Sequence, residues 1–228
     1  MAGYVHTEEF VVRSYDLGPD HRLRLQTLCA YLEESAWLHA DALGVGLERL
    51  MAEGRTWVLV RMRLRLDCLP RGGRRVRVET WPVEREHQRF RRDFCLLDGE
   101  DRVLARAVSQ WAVVGLASRR LERIPDSVCA LRPENPRRAL EDGDIRIPVL
   151  REGRDGPVFP VRMADIDQNR HVNNNRYLDF LLEAADVFGR GTGLAGLDVI
   201  FRAEGLRGDV IGSRTAPEEG GRTLLHSL

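Results

Sequence analysis

The alternation of apolar and polar residues divides the chain into elements. Val11 to Tyr15 reads as a strand, and Asp16-Leu17-Gly18-Pro19-Asp20 as a turn by composition. From Leu25 the apolar residues take helical spacing, at Leu25, Leu28, Cys29, Leu32, Ala36 and Leu43, and Gly44 closes the run. The period then changes to two. Val58, Val60, Met62, Leu64 and Leu66 alternate with Leu59, Arg61, Arg63, Arg65 and Asp67, which predicts a half-exposed strand with a basic outer face. Pro70-Arg71-Gly72-Gly73 turns the chain into a strand from Arg75 to Trp81. Phe90 to Leu97 and Val103 to Val114, joined at Asp98-Gly99, read as a hairpin of long strands.

From about Leu131 to Gly143 the chain is rich in Pro, Arg, Glu and Asp and poor in apolar residues, which predicts a linker. The pattern then restarts. Val158 to Met163 is strand-like, and a polar turn follows. A helix carries Tyr177, Leu181, Ala184, Ala185 and Phe188 on one face, ended by Gly189 and Gly191. Ala195 to Ala203 and Asp209 to Thr215 read as two more strands. Two rounds of strand, helix and antiparallel strands predict an α+β fold. The domains expected are 1–130 and 144–228, with 131–143 between them.

The restart is an internal repeat. At a shift of 149 residues Val12, Arg13, Asp16, Leu32, Glu34 and Ala36 fall on Val161, Arg162, Asp165, Leu181, Glu183 and Ala185. Leu17/Ile166, Leu23/Val172 and Tyr31/Phe180 are similar pairs, and the turn Arg71-Gly72 has a counterpart in Arg207-Gly208. Duplication of one strand-helix-sheet unit is the reading. Measured by the repeat, the second unit stops before its closing strand. It is therefore expected to belong to a longer protein or to be completed by self-association, as in a homodimer.

Composition narrows the function. The 228 residues are 43% hydrophobic and 31% charged, with mean hydropathy -0.33, as in an ordinary globular protein. Lys+Arg and Asp+Glu are both 35, and this balance argues against a nucleic-acid partner. No lysine occurs, so Schiff-base lysine chemistry and the phosphate-loop lysine are excluded. Cys29, Cys68, Cys95 and Cys129 are widely spaced, without a C-x-x-C pair, and read as buried, reduced thiols. There is no run of 18 apolar residues and no signal-peptide pattern in MAGYVHTEEFVV, so a cytoplasmic location away from membranes is expected. No G-x-S-x-G occurs and no G-x-G-x-x-G follows a strand. His6, His21, His39, His87, His171 and His226 show no metal-ligand spacing.

Candidate chemistry concentrates in ADIDQNRHVNNNRY, residues 164–177, in the turn before the second helix. Asp165, Asp167, Asn169 and His171 lie within seven residues, and Asn173, Asn174 and Asn175 lead into the helix. A carboxylate, an amide and an imidazole at this spacing can activate water and hold a carbonyl. The free N–H groups of the helix's first turn would stabilise an oxyanion. Asx residues before a helix also serve as ordinary turn and cap chemistry. The repeat weighs against capping alone, because the first copy has Gly18, Asp20 and Arg22 at the places of Asp167, Asn169 and His171. The basic strand face of Arg61, Arg63 and Arg65 has two readings, a solvated sheet face or a docking surface for an acidic partner.

Asp165-Ile166-Asp167-Gln168-Asn169-Arg170-His171-Val172-Asn173-Asn174, followed by Tyr177, resembles the signature of the acyl-acyl-carrier-protein thioesterases. The resemblance covers nearly the whole chain. It implies two tandem hotdog domains, each a long central helix wrapped by an antiparallel sheet, with acyl-chain binding in the first and catalysis in the second. Its catalytic positions carry over onto Asp167, Asn169 and His171, and onto Glu204 on a strand after the helix. Some plant members place a cysteine after that glutamate. Here Gly205 stands there, and the second half holds no cysteine. The activity implied is hydrolysis of fatty acyl-acyl-carrier-protein thioesters, ending chain elongation, with no cofactor and no metal. The partner implied is acyl carrier protein with its phosphopantetheine-linked acyl chain. An acyl-coenzyme A thioesterase, a dehydratase of the same fold, and a non-catalytic acyl-binding protein are the rival readings.

Overall fold

A computed structural model describes residues 4–86, 88–130, 137–140, 146–185, 193–218 and 223–228. The chain divides into two compact units. One is Met1–Asp142 with Ala195–Phe201, and the other is Gly143–Leu194 with Arg202–Leu228.

In the first unit, strands β1 (His6–Val11), β2 (Arg55–Leu66), β3 (Arg75–Glu86), β4 (Arg89–Asp98) and β5 (Val103–Gly115) accompany the long helix α1 (Leu25–Ala42). Short pieces α2 (Leu47–Ala52), β6 (Leu121–Glu122) and α3 (Asp126–Cys129) complete it, and the sequence pattern did not foretell them. A strand from the C-terminal half, β8 (Gly196–Ile200), joins the same sheet. The order is β1-β3-β4-β5-β2-β8, antiparallel throughout, with β6 added to β5. Helix α1 buries Leu25, Leu28, Cys29, Leu32, Ser35, Ala36 and His39, the three-and-four spacing that the sequence shows. Gly44 follows with φ 71°, a backbone geometry that suits glycine.

In the second unit, β7 (Arg154–Pro160), helix α4 (Asn174–Ala185), β9 (Val210–Pro217) and β10 (Leu224–Ser227) repeat the plan on a smaller scale. Among the described residues its sheet has three strands, in the order β10-β9-β7. The expected helix end at Gly189 and Gly191, with Phe188, lies outside the described residues.

The duplication is visible bond by bond. Arg13 and Arg162 each donate their N–H to the carboxylate three residues on, Asp16 Oδ2 and Asp165 Oδ2, both at 2.8 Å. Each carboxylate closes a short 3-10 turn, Ser14–Asp16 or Met163–Asp165. Arg24 and Asn173 then donate to the Asp16 and Asp165 carbonyls at 2.9 Å and lead into the helices. These turns correct two strand readings. The strands end at Val11 and Pro160, ahead of the expected Tyr15 and Met163, because the carboxylate bonds fold the chain before the apolar residues run out. The return turns also shift by one residue. Val12 N–H bonds the Arg74 carbonyl and Val161 N–H bonds the Asp209 carbonyl, so Gly73 (φ 76°), not Gly72, is the counterpart of Gly208 (φ 92°).

Three further expectations change. Arg61 and Arg63 are buried rather than on a solvated or docking face. Arg61 pairs with Asp198 of β8 at 2.8 and 2.6 Å, and Arg63 Nε lies 3.1 Å from the same carboxylate. Cys68 is exposed, whereas Cys29 and Cys95 are buried as read. Within the expected linker, residues 137–140 are tied down. Trp81 Nε1 donates to the Arg137 carbonyl (2.6 Å), Ala139 N–H donates to Asp93 Oδ2 (2.7 Å), and Arg91 donates to the Leu140 carbonyl (3.0 Å). Residues 131–136 and 141–143 of that segment lie outside the described residues.

Candidate active site

The candidate residues sit on two backbone segments of the second unit. The first is the turn between the 3-10 turn and α4. Arg170 N–H donates to the Asp167 carbonyl (3.0 Å), and Asp167 N–H donates to the His171 carbonyl (2.9 Å). Arg170 closes the turn at φ 65°. Asn169 N–H donates to Asp167 Oδ1 at 2.7 Å, an Asx turn inside the larger one. Asp167, Asn169 and His171 are thus fixed on one tight loop by backbone bonds.

The second segment is the connection between β8 and β9. Glu204 lies there and not on a strand, which corrects the expectation. Its Oε2 stands 3.1 Å from His171 Nε2, with side-chain exposures of 41% and 23%. The pair is open to an incoming molecule. The side-chain contact is between His171 and Glu204, while Asp167 is joined to Asn169 and His171 through backbone groups.

The connection is held close by the fold. Val172 N–H donates to the Gly205 carbonyl at 2.8 Å, so the residues after His171 and after Glu204 are bonded to each other. Gly205 is buried, and a Cβ there would stand 2.7 Å from the Tyr177 hydroxyl and 3.0 Å from Val172 Cγ2. Burial raises the Tyr177 phenol above its ordinary range, so it stays protonated at neutral pH. Tyr177 was legible as part of the signature, but the closeness of its hydroxyl to Gly205 was not.

Asp165 takes no part in this contact. It is buried and accepts from Arg162 N (2.8 Å), Nε (3.1 Å) and Nη2 (2.9 Å), and the Arg162 side chain first of all holds its carboxyl below the ordinary range. The first turn of α4 is also partly committed. Asn175 N–H donates to Asn173 Oδ1 and Arg176 N–H to the Asn173 carbonyl, both at 2.8 Å. Asn173 is thus a cap, and those two amides are not available to an oxyanion. Among the described residues no group of His, Cys, Asp and Glu is arranged to hold a metal ion. No described helix is long and apolar enough to cross a membrane.

Comparisons with known proteins agree on one family. Residues 3–131 match the acyl-ACP thioesterase N-terminal domain and residues 154–227 match the C-terminal domain. A chloroplastic acyl-acyl-carrier-protein hydrolase of Cuphea viscosissima is 30% identical over 96% of this chain and 57% of its own length. The chain therefore spans a little over half the length of that curated relative. The 12:0-ACP thioesterase from Umbellularia californica aligns with TM-score 0.82 and 25% identity, over 97% of this chain and 90% of that one. An acyl-ACP thioesterase structure from Bacteroides thetaiotaomicron aligns with TM-score 0.84 and 22% identity, over 98% and 95%. The fold is that of these structures, α+β with hotdog units.

Proposed function

Because the chain belongs to the acyl-ACP thioesterase family, we propose that it hydrolyses the thioester of fatty acyl-acyl carrier protein, releasing free fatty acid and the carrier's thiol. The observation that carries the chemistry is the contact of His171 Nε2 with Glu204 Oε2 at 3.1 Å, on an open turn that also carries Asp167 and Asn169. In this reading His171 holds the Glu204 carboxylate in place. Glu204 takes a proton from water as the water oxygen attacks the thioester carbonyl, and the proton passes to the departing sulfur. Asn169 polarises the carbonyl, and Asp167 shapes the turn while offering a second carboxylate near it. No cofactor enters the scheme.

The acyl chain is proposed to lie in the first unit. The inner face of α1 is apolar from Leu25 through Leu32 and Ala36. Further along, His39 accepts from the buried Arg92 guanidinium (3.0 Å), which also reaches Thr80 (3.2 Å). Burial lowers Arg92 to about 10, so the group stays charged at neutral pH and marks where the apolar layer turns polar.

Turnover of matched substrates, one acyl chain on carrier protein and the same chain on coenzyme A, tests the substrate class. The carrier-protein substrate should give the higher kcat/KM. Equal or higher values on coenzyme A would move the chain to the acyl-coenzyme A reading.

A further inference from the structure

Strand β4 carries Arg91, Arg92 and Asp93 in a row, and all three are buried. Alternation sends Arg92 to one face of the sheet and Arg91 and Asp93 to the other. Arg92 meets His39 of α1, so its face is the one under the helix. Arg91 and Asp93 meet residues 137–140, which lie against the outer face. That outer contact is dense. Asp93 accepts from Arg91 Nε (2.7 Å) and Nη2 (3.0 Å) and from the Ala139 N–H (2.7 Å). Arg91 Nη2 also donates to the Leu140 carbonyl (3.0 Å). Trp81 Nε1 donates to the Arg137 carbonyl (2.6 Å), and the Arg137 guanidinium stands over the Trp81 ring at 4.6 Å. Ala139 packs against the buried cluster of Trp81, Val83, Cys95 and Leu97.

A path of hydrogen bonds runs from this contact through the sheet to its inner face. The Thr80 hydroxyl donates to the Asp93 carbonyl at 3.1 Å and accepts from Arg92 Nη1 at 3.2 Å. Arg92 Nη1 also donates to His39 Nδ1 at 3.0 Å. Thr80 and Asp93 are fully buried, so water does not compete for these bonds. Among the described residues no carboxylate pairs with Arg92, and Thr80 and His39 are the groups that fix its guanidinium.

We propose that residues 137–140 are a strap that positions Arg92 from the far side of the sheet, through Asp93 and Thr80, and so sets which acyl chains the first unit accepts. The strap grips Asp93 by its carboxylate, and Thr80 reads the same residue by its carbonyl. A shift of Asp93 therefore passes to the Thr80 hydroxyl and on to the guanidinium. Arg92 stands where the apolar layer under α1 turns polar, so its place decides how far an acyl chain can run. A segment that composition marks as a connector thus belongs to the binding layer's outer support. The kinetic arm of the test rests on the acyl-chain placement given above, and the spectroscopic arm does not.

Two variants loosen the strap without touching Arg92. Ala139→Pro removes the N–H that Asp93 accepts, and Trp81→Phe removes the donor to the Arg137 carbonyl. In the spectroscopic arm, the guanidinium NMR signals of Arg92 should move in both variants. In a Thr80→Val background, where the path is cut, the same changes should move them no further. Signals that stay at their wild-type positions, or that move equally in the Thr80→Val background, overturn the proposal whatever the substrate. Trp81→Phe alone decides this arm if Ala139→Pro does not fold. In the kinetic arm, acyl-carrier-protein substrates of graded chain length are compared. The kcat/KM ratio of neighbouring lengths should shift about tenfold towards the longer chain, the scale of one methylene's fit, and an Arg92→Met background should abolish the shift. An unchanged profile in an enzyme that turns these substrates over overturns the proposal. A wild type that hydrolyses none of them, with Arg92 signals that move as expected, counts against the function alone.

Discussion

Asp165 and His171 are six residues apart in one polar turn, yet they serve different ends. Asp165 is matched by Asp16, and both accept the N–H of an arginine three residues before them. Replacing Asp165 by Ala should cost about 1–2 kcal/mol, the scale for a lost cap or an orphaned buried donor. The carboxyl is held low in the folded state, so the folded chain binds its proton less readily than the unfolded chain does. The stability gap between wild type and variant should be full at neutral pH and shrink as pH falls below about 4, where the unfolded carboxyl takes up its proton while the folded one is still ionised. Denaturant titrations at several pH values measure it, and a gap that does not vary with pH would contradict the assignment. The sequence groups Asp165 with the chemical residues by proximity. The repeat already separates them, since Asp165 recurs in the first copy while Asp167, Asn169 and His171 do not.

Strand β2 shows what periodicity reads and what it misses. Its alternation is clear, and it pairs with β5 and β8. What faces Arg61 and Arg63 was not legible, because the answer, Asp198, is supplied by a strand more than a hundred residues away in the chain. A period of two identifies two faces but cannot say which is dry. Helix α1 was easier, since its partners are the nearby strands and its stripe alone marks the buried side. Asp198→Ala would remove the carboxylate that two buried guanidinium groups share. Chemical denaturation should show a loss of about 3 kcal/mol, the lower end for breaking a buried pair. A loss below about 0.5 kcal/mol would show instead a solvent-screened contact. Glu204 was placed by resemblance and not by pattern, because it lies in an irregular connection where no period exists to read.

At the scale of the molecule, duplication is the organising fact. One plan of strand, carboxylate-closed turn and helix is used twice, and the polar set stands on one copy. Arg22 and His171 occupy equivalent places at the end of equivalent turns, with Gly18 N–H on the Arg22 carbonyl at 2.8 Å and Asp167 N–H on the His171 carbonyl at 2.9 Å. That equivalence supplies an internal control for the claim that hydrolysis belongs to the second unit. The direct measurement is thiol release from acyl-acyl carrier protein, per folded molecule, by wild type, His171→Ala and Arg22→Ala. His171→Ala should lose about 10²-fold in kcat, the usual scale for a group of this kind, and Arg22→Ala should keep the wild-type rate. Wild-type turnover in His171→Ala, or an equal loss in Arg22→Ala, would contradict the account.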